Sequence, residues 1–232
     1  MKVGVVGRTG AGKSTICLAL SRIVELCAGS IEIDGVDISK VPLAKLREKV
    51  TVIPQDPTLF AGTLRFNLDP FEVVDDNRLE QLLRDAGLED LLTRESEAKK
   101  DGEEQDQAKS QGLNFKIAEG GANLSSGEKQ LICICRAVLR KNKVVVLDEA
   151  TANIDVVTEQ KVQSLLKTEF NNSTVITIAH RLNTIIQSNR VLVLSHGEAK
   201  EFDSPQNLML DPSSEFSKLL QELKKKKQQS EF

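Results

Sequence analysis

The stretch Gly7-Arg8-Thr9-Gly10-Ala11-Gly12-Lys13-Ser14 matches the pattern GxxxxGK[ST] at every fixed position. It follows the run Val3-Gly4-Val5-Val6, which predicts a buried strand, and it precedes residues 15–23, which predict a helix. The glycines let successive backbone N–H groups point at one anion, and the helix N-terminus adds partial positive charge there. Strand, glycine loop and helix together predict a loop that binds a phosphate chain.

The last residues of this loop have separate roles in such a site. Lys13 is placed to reach the β- and γ-phosphates of a nucleoside triphosphate, and the Ser14 hydroxyl is placed to bind Mg²⁺. The alternative is a glycine-rich turn that only joins a strand to a helix. Because the four fixed positions coincide by chance in about one chain of this size in a hundred, the phosphate loop is the stronger interpretation.

The composition excludes several classes of protein. The 232 residues carry a formal net charge of −3, which gives no electrostatic case for nucleic acid as a partner. No apolar run approaches the ~18 residues of a membrane span, and the first residues lack the apolar core of a secretory signal. Any membrane role is therefore expected to come through a partner or a further segment.

Four cysteines occur, all in apolar or helical surroundings, and we expect buried, reduced thiols. Cys133 and Cys135 are two residues apart on a predicted helix, so they face different sides and are not expected to share a metal. The other two are Cys17 and Cys27.

Two strands are predicted after the first helix. Residues 30–38 alternate around a turn at Asp34-Gly35, which predicts an antiparallel, half-exposed piece. Residues 49–53 predict a strand that Pro54 ends. That strand delivers Gln55 to the C-terminal edge of the sheet, where open α/β sheets bind their ligands.

The sequence pattern changes in the middle of the chain. Short helical segments between residue 57 and about residue 92, such as residues 78–84 with Asp75 or Asp76 as a cap, predict an inserted helical subdomain. Residues 95–111 contain almost no large apolar side chain, which favours a solvated disordered loop over a docking segment.

Residues 123–130 form a polar turn before a helix predicted for residues 131–139. The N-terminus of that helix is either a second phosphate contact or an ordinary cap.

Two carboxylates, Asp148 and Glu149, follow the four apolar residues 144–147 of a predicted strand that begins at Lys143. Asp148 suits a hold on Mg²⁺ beside Ser14, and Glu149 suits polarising an attacking water, whereas the alternative is helix capping. Residues 173–179 repeat the pattern and lead into His180. This histidine either contacts the γ-phosphate or orients the water, or else it is structural.

The remaining C-terminal features have no chemistry in this interpretation. His196 lies in a predicted hairpin turn and is assigned no role. Residues 219–223 precede four lysines, 224–227, which favour a solvated helix end over contact with an anionic membrane. No internal repeat is visible.

Taken in order, these motifs resemble the nucleotide-binding domain of ATP-binding cassette (ABC) proteins across nearly the whole chain. The matching set is the glycine loop, Gln55, the signature Leu124-Ser125-Ser126-Gly127-Glu128, residues 144–149, Asp155 and His180. Residues 54–57, 59–70 and 147–152 are similar to subfamily C, the group with multidrug-resistance-associated proteins, and to its second, C-terminal nucleotide-binding domain.

The resemblance implies an α/β P-loop NTPase fold with a RecA-like core, an inserted α-helical subdomain and an incomplete antiparallel β subdomain. The core would comprise residues 1–56 and 141–203. The helical subdomain would comprise residues 57–140, with the charged loop 95–111 and the signature, and residues 204–232 would form a C-terminal helix with a lysine-rich tail.

The resemblance also implies roles for single residues. ATP would contact residues 7–14 together with Thr15 and Gln55, and Mg²⁺ would be held by Ser14, Gln55 and Asp148. Gln55 would also couple to transmembrane helices, Glu149 would be the catalytic base and His180 the switch histidine. Asp155 would lie in a loop at the dimer interface. Ser125 and Gly127, within the signature, would bind the γ-phosphate of a partner domain, since such domains pair head to tail around two ATPs.

Two departures from the family pattern matter. Glu128 stands where the signature usually has Gln, which puts a negative charge near the partner's nucleotide. The chain begins at the strand feeding the glycine loop, whereas family members carry earlier strands with an aromatic residue that stacks on adenine. We therefore expect an N-terminally truncated domain with weakened ATP binding.

The expected function is Mg²⁺-dependent ATP hydrolysis that powers export, at the cytosolic face of a membrane, through transmembrane domains outside this chain. One rival is a nucleotide-sensing regulatory cassette without useful turnover, against which the presence of Glu149 argues. A second rival is a soluble ABC ATPase, although paired cassettes and long coiled coils are missing. A third is an inactive fragment.

Overall fold

The computed structural model describes residues 1–94, 112–148, 156–178 and 185–229. The chain divides into two units. The first comprises Met1–Gln55, Asn142–Glu149 and Asn172–Phe232, and the second comprises Asp56–Lys141 and Ala150–Asn171. Residues 156–171 thus group with the second unit, whereas the sequence had assigned them to the core. The reason is that the helix of residues 156–169 packs against the helix of residues 126–140.

The strands of the described residues are β1 (Lys2–Val6), β2 (Glu32–Ile33), β3 (Val36–Asp37), β4 (Val50–Ile53), β5 (Gly62–Thr63), β6 (Lys116–Ile117), β7 (Val144–Asp148), β8 (Thr174–Ile178), β9 (Arg190–Ser195) and β10 (Glu198–Asp203). The helices are α1 (Lys13–Leu20), α2 (Leu43–Lys49), α3 (Leu64–Leu68), α4 (Asp76–Asp85), α5 (Glu89–Thr93), α6 (Ser126–Arg140), α7 (Val156–Glu169), α8 (Pro205–Leu210) and α9 (Glu215–Gln229).

The first unit is built on a six-stranded sheet in the order β10-β9-β1-β8-β7-β4. All neighbours are parallel except β10, which pairs antiparallel with β9. Central strands of a parallel sheet are covered on both faces, which explains their nearly unbroken apolar sequences. Val145 and Val146 of β7, for example, are fully buried. This mixed sheet, together with the helices that pack on it, confirms the predicted α/β fold class.

Helix α1 covers one face of this sheet. Its Cys17 and Leu20 pack with Val5, Val146 and Ile178 from three strands. Full burial of each large aliphatic side chain stabilises the fold by about 1.5–3 kcal/mol. The thiols of Cys17, Cys133 and Cys135 are buried as predicted, but the prediction was wrong for Cys27, which is exposed. Cys27 follows the end of α1 at Leu20, so no helix face carries it into the core.

The predicted half-exposed piece at residues 30–38 is a separate two-stranded antiparallel sheet of β2 and β3, joined at Asp34-Gly35. In the same unit, α8 and α9 pack on β9 through Leu208, Phe216 and Leu220. His196 is exposed in the turn between β9 and β10, which confirms the predicted hairpin.

The second unit is mainly helical. In α4 the leucines 79, 82 and 83 recur at helical spacing and are fully buried. The Asp75 side chain accepts a hydrogen bond from the Arg78 N–H and so begins this helix. Helix α6 begins at Ser126, five residues before the predicted start, because a capping box nucleates it within the polar turn.

Candidate nucleotide site

The glycine loop follows β1 directly and is held against the end of β9. A Cβ atom built on Gly7 would lie 2.3 Å from the backbone oxygen of Leu194, so only glycine fits this close approach. The loop closes on itself through the Ala11 N–H, which donates to the Arg8 carbonyl at 3.1 Å. Helix α1 then begins at Lys13 and directs its N-terminal N–H groups into the loop.

Lys13 is buried, with 7% of its surface exposed. Its ammonium donates to the carbonyls of Gly7 at 3.0 Å and Arg8 at 3.1 Å. A buried ammonium needs such acceptors, since an unpaired charge in this position would be costly. The loop therefore holds a cation at its centre, which is the arrangement that a phosphate chain requires.

The strand register brings the other predicted ligands to the same edge of the sheet. Val5 pairs with Ile178, and Ile178 pairs with Asp148, so these three positions lie level across β1, β8 and β7. Ile53 pairs with Leu147, which places Gln55 just beyond the same edge. Because all four strands are parallel, the glycine loop, Asp148 and Gln55 follow strand ends on one side, as the sequence predicted.

Burial and the charge of Asp148 together raise the pKa of the Cys17 thiol to about 12. The Asp148 carboxylate thus acts electrostatically on the Cys17 thiol, which agrees with the packing of α1 on β7. Cys17 remains a neutral thiol beside the site and is not a nucleophile.

The donors at this edge fit Mg²⁺. Ser14 contributes a hydroxyl, Gln55 an amide oxygen and Asp148 a carboxylate, and Mg²⁺ prefers hard oxygen ligands, one or two of them carboxylates. Ser14 and Gln55 are exposed and Asp148 is half-buried, so all three are accessible to solvent. Glu149, His180 and Asp155 lie outside the described residues.

Sequence reasoning missed one neighbour of the loop. The Gly197 N–H, in the turn between β9 and β10, donates to the Ala11 carbonyl at 3.2 Å. Gly197 is 186 positions from Ala11 in the chain, and only the pairing of β9 with β1 brings the two together. A hairpin turn following a predicted strand was visible in the sequence, but its contact with the loop was not.

The signature residues lie at the start of α6 in the second unit. The Ser125 hydroxyl accepts from the Glu128 N–H at 3.2 Å, and the Glu128 carboxylate accepts from the Ser125 N–H at 2.7 Å. This reciprocal pair is a capping box. Leu124, which precedes it, is buried, whereas Ser125 and Ser126 are exposed.

Glu128 has a second partner that the sequence did not indicate. Arg94 Nη2 donates to Glu128 Oε1 at 2.6 Å. Burial raises the pKa of Glu128, but the hydrogen bonds from Ser125 and Arg94 outweigh it and hold the pKa below its usual range. The carboxylate is therefore ionised and paired at neutral pH.

A second arginine, Arg136 on α6, organises the segment before and within α3. It donates to the carbonyl of Thr58 at 2.6 Å and to Asn67 Oδ1 at 2.7 Å. Asn67 in turn donates to the Phe60 carbonyl at 2.8 Å. Sequence reasoning marked residues 59–70 only as a family stretch, and the buried Asn67 explains why that stretch has a defined conformation.

The fold and the glycine loop define a P-loop nucleotide-binding domain of the α/β class. The sequence profile of the ABC transporter family matches residues 1–152. The chain belongs to the ABC transporter family.

Two curated relatives refine this result. The chain is 51% identical over 208 residues to ATP-binding cassette sub-family C member 3 of Mus musculus, a match that covers 90% of this chain and 13% of that protein. It is 48% identical over 219 residues to a pleiotropic ABC efflux transporter of multiple drugs from Candida glabrata, with 93% and 13% covered. The resemblance to subfamily C is confirmed.

A bacterial Atm1-family ABC exporter with ATP bound has a similar solved structure. The TM-score is 0.83 at 31% sequence identity, covering 95% of this chain and 36% of that one. This chain therefore corresponds to an ATP-binding cassette of ABC exporters. It spans about an eighth of the length of the curated relatives named above. In its described residues, no helix is both long and apolar enough to cross a membrane.

Proposed function

We propose that this chain binds ATP at the glycine loop and hydrolyses it with Mg²⁺ to power export across a membrane. The observation that carries the proposal is the buried ammonium of Lys13 inside a loop that shares one sheet edge with Asp148 and Gln55. Family membership supports ATP as the nucleotide, and the efflux transporters among the relatives support export.

Each residue at the edge has a part in this proposal. Lys13 leaves the carbonyls of Gly7 and Arg8 and pairs with the β- and γ-phosphates, while the loop N–H groups and residues Ser14 and Thr15 surround them. Ser14, Gln55 and Asp148 would hold Mg²⁺, which would supply positive charge to offset the negative charge that develops on the phosphates. Glu149, next after Asp148, accepts the proton of the attacking water, and His180 orients the γ-phosphate.

A second cassette completes each nucleotide site in this arrangement. Ser125 and Gly127 of one subunit bind the γ-phosphate held by the other, with Asp155 in the interface loop, so two ATPs lie between head-to-tail subunits. The transmembrane domains are further segments or partners, which puts the cassette at the cytosolic face of a membrane. Residues 1–56 and 141–203, apart from the helix of residues 156–169 that groups with the second unit, act as its catalytic core. Residues 57–140 act as its helical subdomain and residues 204–232 as its C-terminal part.

A nucleotide-sensing cassette without useful turnover is the second candidate. It would need the same loop and the same Lys13, but no base after Asp148. The presence of Glu149 favours hydrolysis.

Two substitutions test the proposal. We expect Lys13→Ala to abolish ATP binding, because it removes the positive charge that pairs with the phosphates. We expect Glu149→Gln to keep ATP binding while hydrolysis falls by about 10²-fold or more, because it removes only the base. Lys49→Ala, which removes an exposed lysine paired with Glu48, is the control and should change neither quantity. Binding is measured by titration with ATP and turnover by phosphate release. Equal loss of ATP affinity in the two site variants would contradict the assigned roles.

A further inference from the structure

We propose that Arg94 is a positioning residue for the signature: it neutralises Glu128 and holds it in the capping box, so that the first turn of α6 can receive a partner's phosphate. The inference rests on the proposed head-to-tail function. It assigns a purpose to the one signature position that departs from the family pattern.

The capping box leaves two donors for a ligand. A helix has about four N–H groups in its first turn without partners in the helix. The box occupies those of Ser125 and Glu128, which leaves those of Ser126 and Gly127 pointing out of the helix end. The Ser125 hydroxyl accepts in this box and keeps its own O–H for donation.

Charge decides whether an anion can use these donors. A Gln at position 128 could cap the helix without charge, whereas the carboxylate of Glu128 adds a full negative charge in the same turn. That charge opposes a triphosphate more strongly than the partial positive charge of the helix end attracts it. Arg94 offsets it, because its guanidinium lies 2.6 Å from the Glu128 carboxylate.

The surroundings make this pairing stronger than that of an ordinary surface pair. The Glu128 side chain is 19% exposed and that of Arg94 is 39% exposed. The Arg94 guanidinium also lies 6.0 Å from the centre of the Phe115 ring, and Phe115 is itself buried. Arg94 is thus held from two sides, which reduces the entropy lost in forming the pair and fixes the direction of the carboxylate.

A double-mutant cycle separates this role from a general structural one. ATP turnover with Mg²⁺ is measured for the unaltered chain, Arg94→Ala, Glu128→Gln and the double variant. We expect about tenfold slower turnover for Arg94→Ala alone, and turnover within about threefold of Glu128→Gln for the double variant, because no charge then needs neutralising. Arg84→Ala, which removes an exposed Arg–Glu pair on α4, is the matched control and should have little effect.

Thermal unfolding of each variant shows whether it is folded at the assay temperature. If Arg94→Ala does not fold, Arg94→Gln replaces it, since it keeps much of the side-chain stem and removes only the charge. An equal loss of turnover on removing Arg94 from the unaltered chain and from the Glu128→Gln variant overturns the inference, as does no loss in either. Absence of turnover in the unaltered chain overturns the proposed function and this inference with it, so the two failures are distinguishable.

Discussion

Asn142 links three strand ends at the edge of the sheet opposite the glycine loop. It immediately precedes Lys143 and β7, and it is buried. Its Nδ2 donates to the Glu48 carbonyl and to Thr51 Oγ1, both at 2.8 Å. Its backbone carbonyl accepts from Ser173 Oγ at 2.8 Å. One residue therefore links the beginnings of β4, β7 and β8.

We expect Asn142→Ala to lower the free energy of unfolding by about 1–3 kcal/mol, because it leaves the Glu48 carbonyl and the buried Thr51 hydroxyl without this donor. Urea denaturation measures the change. Asn77→Ala, at an exposed position of α4, is the control and should stay within about 0.5 kcal/mol of the unaltered chain. A change of similar size in the two variants would show that the Asn142 side chain adds nothing to stability.

The pH dependence of stability provides a second test at the scale of one residue. The pKa of Glu128 is lower in the folded chain than its ordinary value of 4.5. An unfolded Glu128 therefore takes up protons at a higher pH than a folded one. The stability contributed by its ionised form is complete above about pH 4.5 and is lost as the pH falls through the folded pKa.

We therefore expect the unaltered chain to lose more stability than Glu128→Gln when the pH falls from 7 to about 3.5. Other carboxylates titrate in the same range in both proteins, so the difference between the two isolates Glu128. Urea denaturation at several pH values measures it. Parallel stability curves for the two proteins would mean that the ionised carboxylate is not favoured by folding.

Among the elements, the hairpin of β9 and β10 supports the glycine loop. The end of β9 limits Gly7 to glycine, and the turn after it donates an N–H to Ala11. The hairpin is anchored in turn by Glu201 of β10, whose carboxylate accepts from Ser214 Oγ at 2.8 Å and from the Glu215 N–H at 2.7 Å at the start of α9. The glycine loop is thus held in place by the β9–β10 hairpin, which lies far from it in the sequence.

We expect Gly197→Ala to weaken ATP binding several-fold. Gly197 has a φ of +81°, so an L side chain costs about 1 kcal/mol there and shifts the turn away from Ala11. Gly35→Ala is a matched control: its φ is +76° in the β2–β3 turn, and no atom lies within 4 Å of either added Cβ. ATP titration of both variants measures the effect. Equal affinities would show that the hairpin turn does not support the loop.

The helices illustrate which features the sequence could predict. The cap and leucine spacing of α4 are local, and that helix was predicted nearly to its ends. Helix α6 was predicted to start at Leu131 because residues 123–130 were interpreted as a polar turn. The capping box of Ser125 and Glu128 instead begins the helix within that turn, and both of its residues were present in the sequence. The pattern S-x-x-E was the signal that would have corrected the start.

At the scale of the whole molecule, the predictable part of the site was the part whose residues are close in the chain. The glycine loop and the strand that ends at Asp148 each carry a local pattern. The lateral order β1-β8-β7-β4, which brings them to one edge, depends on pairings between distant segments. The partners of Glu128 and Ala11 were missed for the same reason, because Arg94 and Gly197 lie far from them in sequence and belong to no motif.

Two copies of the chain are expected to form each complete site. If each ATP is bound by the glycine loop of one subunit and the signature of the other, hydrolysis rises faster than linearly with protein concentration while pairing is incomplete. Two inactive variants should also rescue each other. Lys13→Ala retains the signature, Ser125→Ala retains the glycine loop, and a mixed pair contains one intact site.

Equal amounts of the two variants should regain about one quarter of the activity of the unaltered chain, since half of randomly formed pairs are mixed and each has one of two sites. Phosphate release from the mixture is compared with the sum of the separate variants. Lys13→Ala mixed with Lys13→Ala/Ser125→Ala is the control, because no pair then has an intact site. Activity equal to the sum, together with turnover strictly proportional to concentration, would mean that each chain contains a complete site and that pairing is not required for hydrolysis.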